Sequence, residues 1–128
     1  MPATLSPDAP QVLRDYYEVL EGGAAAYGEG EVMRRLVSDH LDFTGALAGH
    51  RPDATEGFLR GAAGFVATVE GIDVLQDVHD DTGSAVLYTA AMPGGPVTFA
   101  EFFTVDDGRI ATLRLHYDGP EYLAKGGR

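Results

Sequence analysis

Residues 71–117 read GIDVLQDVHDDTGSAVLYTAAMPGGPVTFAEFFTVDDGRIATLRLHY, four runs of alternating or β-branched residues cut by clusters of Asp, Gly and Pro. The runs Ile72 to His79, Ser84 to Met92, Val97 to Val105 and Arg109 to Tyr117 have the two-residue period of strands. The clusters Asp80-Asp81-Thr82-Gly83, Pro93-Gly94-Gly95-Pro96 and Asp106-Asp107-Gly108 have the chemistry of tight turns. Turns this short join antiparallel neighbours, so the stretch predicts a meander.

Upstream the period changes. After Ser6-Pro7-Asp8-Ala9-Pro10, which supplies candidate N-caps, Val12, Leu13, Tyr16, Val19 and Leu20 recur at helical spacing up to Gly22-Gly23. The glycine-interrupted Ala24 to Gly30 reads as a linker or a frayed turn. A short second helix is expected with Val32, Met33, Leu36 and Val37 on one face, and a strand over Leu41, Phe43, Gly45 and Leu47. After the loop Ala48 to Pro52, Asp53 and Glu56 have capping-box spacing ahead of the stripe Phe58, Leu59, Ala62, Phe65, Val66 and Val69, which predicts a third helix ending at Gly71. This order predicts an α+β fold with N-terminal helices packed on a curved antiparallel sheet around an internal pocket. One domain over 1–128 is expected, with a core of about 8–118 and 119–128 as a tail.

The composition narrows the function. Apolar residues make up 45% and charged residues 23% of the 128, ordinary globular values. No run approaches the roughly 20 apolar residues that cross a bilayer, and Met1 to Pro10 lacks the basic-then-apolar order of a secretory signal, so the expected location is cytoplasmic. Cysteine is absent, which removes disulfides, thiolate metal sites and a cysteine nucleophile. Twenty acidic against nine basic residues give a net charge of -11, a surface that repels nucleic acid and anionic membranes. His40, His50, His79 and His116 show no HExxH and no i,i+4 pairing, so no metal is expected. No cofactor motif is present either, since Gly22-Gly23 and Gly94-Gly95 do not follow a strand and open a helix.

A pocket is betrayed by polar groups on faces that the pattern buries. One face of Val97 to Val105 presents Phe99, Glu101, Phe103 and Val105, a carboxylate in an apolar row. Apolar walls raise the pKa of such a carboxyl and suit it to proton transfer. Alternatively, an Arg, a Tyr or a strand-edge exposure satisfies it. Tyr16, on the inward face of the first helix, is its natural partner. The last strand separates into an inward row Ala111, Leu113, Leu115, Tyr117 and an outward row Ile110, Thr112, Arg114, His116, Asp118. The pair His116 and Asp118 has no serine or cysteine beside it and reads as solvated or interface-facing.

Three segments then carry a resemblance: Val12-Leu13-Arg14-Asp15-Tyr16-Tyr17, Leu36-Val37-Ser38-Asp39-His40-Leu41-Asp42-Phe43, and Ala100-Glu101-Phe102-Phe103-Thr104-Val105-Asp106-Asp107-Gly108-Arg109-Ile110 ahead of Leu113-Arg114-Leu115-His116-Tyr117-Asp118. Over about residues 10–120 the chain resembles the nuclear transport factor 2-like superfamily and, within it, the SnoaL-like proteins. The resemblance implies a cone-shaped, cystatin-like barrel and a homodimer formed through the outer sheet face. Set against ketosteroid isomerase, it puts the oxyanion-hole tyrosine on Tyr16 and the protonated carboxyl on Glu101, and the proton-abstracting aspartate on Gly45, which carries no base. Set against limonene epoxide hydrolase, it puts Phe99 where that enzyme's arginine stands. A SnoaL-type cyclase would use Glu101, with His50 as a weaker candidate.

Two readings follow. In the first, Glu101 and Tyr16 are catalytic in an isomerase, cyclase or hydrolase acting on an apolar, oxygen-bearing small molecule. Phe43, His50, Phe65 and Tyr88 are then expected around that ligand, with Phe99, Phe103, Leu113 and Tyr117. In the second, the chain is a non-catalytic ligand-binding or dimerisation module and Glu101 is structurally paired.

Overall fold

The computed structural model describes residues 4–128; the first three residues of the Met1–Pro10 stretch, and of the 1–128 domain, lie outside the described residues. The elements in order are α1 (Gln11–Glu21), α2 (Ala24–Tyr27), α3 (Glu31–Leu36), β1 (Val37–Gly45), β2 (Gly49–Arg51), α4 (Thr55–Thr68), β3 (Gly71–Asp80), β4 (Gly83–Met92), β5 (Gly95–Asp106), β6 (Arg109–His116) and α5 (Gly119–Ala124). The strands form one curved sheet in the order β2-β1-β6-β5-β4-β3, which stays unclosed because β2 and β3 are its two edges.

The four-strand meander forms where the turn chemistry places it. Asp80 accepts from Thr82 N–H, from its hydroxyl and from Gly83 N–H, tying the β3–β4 hairpin. Asp107 and Gly108 both have positive φ (54° and 76°), the pair of left-handed residues a type I′ turn requires between β5 and β6. The expectation of a wholly antiparallel sheet is corrected at one seam, since β1 lies parallel to β6. No short turn links those two strands; α4 and four strands (β2 to β5) intervene, so the chain is free to return in the same direction.

Bulges bend the sheet, and one of them changes which residues face inward. Along β6 the partners run Thr104↔Thr112 and then Val105↔Ile110, leaving Ala111 as the extra residue. Ile110 is thereby turned inward and is fully buried, against its expected outward place, while Val105 is 38% exposed rather than inward.

Other departures concern ends and small elements. Helix α1 starts after Pro10 with no side-chain cap, and α4 starts after Ala54, also without one, so neither the Ser6/Asp8 caps nor the Asp53–Glu56 box forms. Ser6 is instead bonded to Asp77 and Asp53 to His40. Of the two readings of 24–30, linker or turn, the structure takes the turn, as α2, and the expected loop contains β2. Val37 leaves the second-helix face to open β1, while Val32 is 43% exposed.

The expected tail carries α5, which Asp118 caps by accepting from Glu121 N–H at 2.9 Å. One residue explains why it packs: Tyr122 is 4% exposed, with its ring against Tyr117 and Phe99. No helix among the described residues is long and apolar enough to cross a membrane.

Candidate functional site

The alternation of β4 and β5 turns Tyr88, Phe99, Glu101 and Phe103 to one face of the sheet, and α1 lays its apolar side across them. Glu101 is 0% exposed. Tyr16 Oη donates to its Oε2 at 2.6 Å, and Tyr17 Oη donates to its Oε1 at 2.8 Å. Tyr88, two residues along β4 from Val86, the partner of Glu101, adds a third phenol that favours the charged carboxylate. The aromatic rings are locked together, Tyr16 edge-on to Tyr17 at 5.0 Å and Tyr17 edge-on to Tyr88 at 5.6 Å.

Two influences compete over the proton. Burial raises the Glu101 pKa, the phenols of Tyr16, Tyr17 and Tyr88 lower it, and burial wins, leaving it pushed up to about 7. The three phenols are themselves held well above the ordinary tyrosine value, first by burial and then by the carboxylate beside them. Near neutral pH this carboxyl therefore exists in both protonation states, inside a core that water does not reach.

Beside it opens a cavity of about 700 Å³. Its buried floor includes Tyr16, Phe58, Tyr88, Phe99 and Tyr122, and its exposed mouth includes Leu47, Arg51, Asp53, Gly57, Arg60 and Gly61. Glu101 does not line it: the carboxylate sits one layer behind the wall, and Tyr16 and Tyr88 stand between it and the open space. On the other side of α1, Tyr17 lines a second hollow of about 630 Å³ near Thr4, Arg14 and Glu18. Glu101 thus lies between two phenols that face different spaces.

Of the expected walls, Phe43, Phe65, Tyr88, Phe99 and Tyr117 line the first cavity. Phe103 and Leu113 do not, because they form a cross-strand pair beyond the Glu101 layer, where α1 closes over the sheet. His50 does not either. The whole of β2 is exposed, and the His50 ring turns to Asp42 at 3.0 Å. Gly45 lines the cavity without a side chain, and Asp42, occupied by His50, supplies no base there. Asp118 is spent on the α5 cap and His116 packs edge-on to Phe102 at 5.7 Å.

The sequence reading missed Tyr17. The signal was present in its spacing: Tyr17 follows Leu13 by four residues and precedes Leu20 by three, so it shares the buried stripe of α1, although it was not among the inward residues expected. A second missed cluster joins residues 71 positions apart: Asp77 Oδ2 accepts from Ser6 N–H at 2.8 Å and from Ser6 Oγ at 2.6 Å. His79 Nε2 meets the same oxygen at 2.6 Å, and its Nδ1 meets Ser84 Oγ at 2.8 Å. This is a Ser–His–Asp string, but Ser84 is buried and lines neither cavity, so it ties the N-terminal segment to the sheet rather than offering a nucleophile. Among the described residues no three His, Asp or Glu side chains are grouped to hold a metal.

No family model matches the sequence, and no curated protein sequence matches it. Solved structures do. A protein of Kribbella flavida matches at 25% identity over 93% of this chain and 94% of that one, with a TM-score of 0.66. A candidate SnoaL-like polyketide cyclase of Jannaschia sp. CCS1 matches at 17% identity over 95% of each chain, TM-score 0.66. A protein of Catenulispora acidiphila with a ketosteroid isomerase-like fold, crystallised with trimethylamine, matches at 12% identity over 94% of this chain and 93% of that one, TM-score 0.67. The chain therefore has the nuclear transport factor 2-like fold, the α+β cone shared by SnoaL-like and ketosteroid isomerase-like proteins.

Proposed function

We propose that the chain binds an apolar, oxygen-bearing small molecule in the 700 Å³ cavity and moves a proton on it; solved structures of similar fold include proteins described as a candidate isomerase and a candidate polyketide cyclase. The observation that carries this is the fully buried Glu101 carboxyl bonded to Tyr16, a phenol that lines the cavity. In this reading Tyr16 gives its proton to the ligand oxygen as the enol forms and is reprotonated by Glu101, while solvent water in the open cavity takes the carbon-bound proton; the reverse steps return a solvent proton to carbon. A carboxyl whose pKa lies near 7 can give or take up a proton at neutral pH. Phe43, Phe65, Phe99 and Tyr117 hold the apolar body, and a cavity of this size with few polar groups suits such a ligand.

The test is hydrogen–deuterium exchange at the carbon next to the carbonyl of cyclic ketones in deuterated water, followed by NMR. Wild-type protein is expected to accelerate exchange of at least one ketone, and Glu101→Gln to lose about a hundredfold or more of that acceleration. Gly61→Trp, whose side chain starts in open space at the mouth, is expected to abolish exchange and binding while leaving Glu101 untouched. Unaltered exchange in Glu101→Gln removes the proposal.

A second reading keeps a specific observation on its side: among the described residues no buried side-chain polar atom lacks a partner, so Glu101 is complete without a ligand. It then acts as a clamp between α1 and β5 in a non-catalytic binding module. A ligand that binds wild type and Glu101→Gln alike, with no exchange in either, favours the clamp. We further propose a homodimer through the outer sheet face, where Phe102 (40% exposed) and Val78 (57%) flank Ala85 in paired register. Sedimentation of Phe102→Asp against wild type checks it, a dimer lost in the variant being the expected result.

A further inference from the structure

The mouth of the cavity carries charge opposite to that of the protein. The chain has twenty acidic and nine basic residues, yet the cavity is lined by three arginines, Arg51, Arg60 and Arg128, and by one acid, Asp53. Asp53 is occupied by His40, whose Nδ1 lies 2.9 Å from its Oδ1. Arg51 is held at the rim by β2 and by its Nε, which donates to the carbonyl of Ala48, another lining residue. Arg60 folds back along α4 toward Gly57: a Cβ built there would stand 3.8 Å from its Nη2. Glu56 is the nearby acid and feels the Arg60 charge, but its two oxygens are bonded by Arg34, at 2.5 and 2.9 Å, and it forms no ion pair within 4 Å with Arg60. Arg51 and Arg60 carry the case, because β2 and α4 set their places.

From this geometry we infer that the ligand is amphipathic and anionic: its apolar body lies among the aromatic floor residues, and a carboxylate or similar anion at its other end meets Arg51 and Arg60 at the mouth. This rests on the cavity being the ligand site proposed above and names the substrate class for it. An acidic protein repels anions over most of its surface, so a cluster of cations at one apolar opening selects for the ligand class that the rest of the molecule disfavours. A neutral ligand has no use for the arginines. A cationic one would call for acids in their place.

The experiment compares three ligands that share one ring system, naphthoate, naphthylmethanol and naphthylmethylammonium, titrated calorimetrically against the whole chain. Naphthoate is expected to bind about tenfold more tightly than the ammonium compound, with the alcohol between them. Arg60→Gln and Arg51→Gln are each expected to weaken naphthoate about two- to fivefold and the double variant about tenfold, leaving the alcohol unchanged. Arg60→Glu should reverse the order of anion and cation. The anion's advantage should shrink as ionic strength rises toward about 1 M, where charges are screened beyond about 3 Å. Alcohol binding as tight as naphthoate, or arginine variants that leave naphthoate unmoved, overturns the inference while the cavity site stands. A wild-type protein that binds none of the three removes the cavity site and this inference together.

Discussion

On β5, Glu101 takes the phenols of Tyr16 and Tyr17 on its two oxygens and is met by Tyr88 as well; on the edge strand β3, Asp77 takes the N–H and the hydroxyl of Ser6 and the Nε2 of His79 on one oxygen. Each carboxylate is served by three donors, yet their proton affinities move in opposite directions. For Glu101 burial outweighs the phenols and the pKa rises to about 7. For Asp77 burial also raises it, but Ser6 and His79 together prevail and the pKa falls. What separates them is depth and donor type. The Asp77 side chain keeps 10% of its surface in water and has a backbone N–H and an imidazole that can carry charge, whereas Glu101 has no water and only neutral phenols. Counting hydrogen bonds does not reveal how a buried acid titrates; the solvation it has lost must be weighed against them.

The sharpest way to break the contrast is through pH. Folding raises the Glu101 pKa from 4.5 to about 7, so the folded state binds this proton more tightly and the associated stability, complete below 4.5, is lost as pH rises through about 7. Relative to Glu101→Gln, wild type is expected to lose about 3 kcal/mol between those limits, measured by urea unfolding at each pH. A difference that stays flat would show that the carboxyl does not titrate there.

Asp77 should give the opposite slope with a smaller amplitude. Its contribution is full above its ordinary value of 3.8 and fades as pH falls through the lowered folded-state value. Asp77→Asn is expected to cost about 2 kcal/mol at neutral pH, with the penalty shrinking in acid and the N-terminal segment released from β3. Protection of the Ser6 amide from hydrogen exchange, retained in the variant, would contradict that.

The smallest effect concerns the donors. Tyr17→Phe removes one hydrogen bond to Glu101 and should cost about 1 kcal/mol. Because the phenols hold the carboxyl pKa down, it should also move the Glu101 midpoint above its wild-type position near 7. Carbon NMR of the labelled carboxyl reads that midpoint directly, and a downward movement would mean that the phenols do not stabilise the charged form.

Much of this was open to a reader of the residues. Alternation along Val97 to Val105 isolates Glu101 among phenylalanines, and helical spacing turns Tyr16 inward, because burial imposes a two-residue period on strands and a 3.6-residue period on helices. The same logic fails wherever one residue upsets the count. Ala111 is a bulge, so Ile110 faces the core against the pattern; α5 is held by Tyr122, too little apolar content to show a period. His50, at a plausible distance along the chain, is drawn outward to Asp42 by β2.

The order of residues alone determined α1, α3, α4, the meander and the presence of a carboxyl on a dry face, since each follows from local spacing. Only the folded chain decided that Tyr17 shares that carboxyl, that Tyr16 and Tyr88 screen it from the cavity, that Ser6 reaches Asp77, and that Arg51 and Arg60 meet at one rim. Apart from the two arginines, which β2 and α4 bring to one rim, these contacts join segments far apart in the chain, and what brings them together is the curvature of the sheet, which is set by bulges and by packing against the helices rather than by any local pattern.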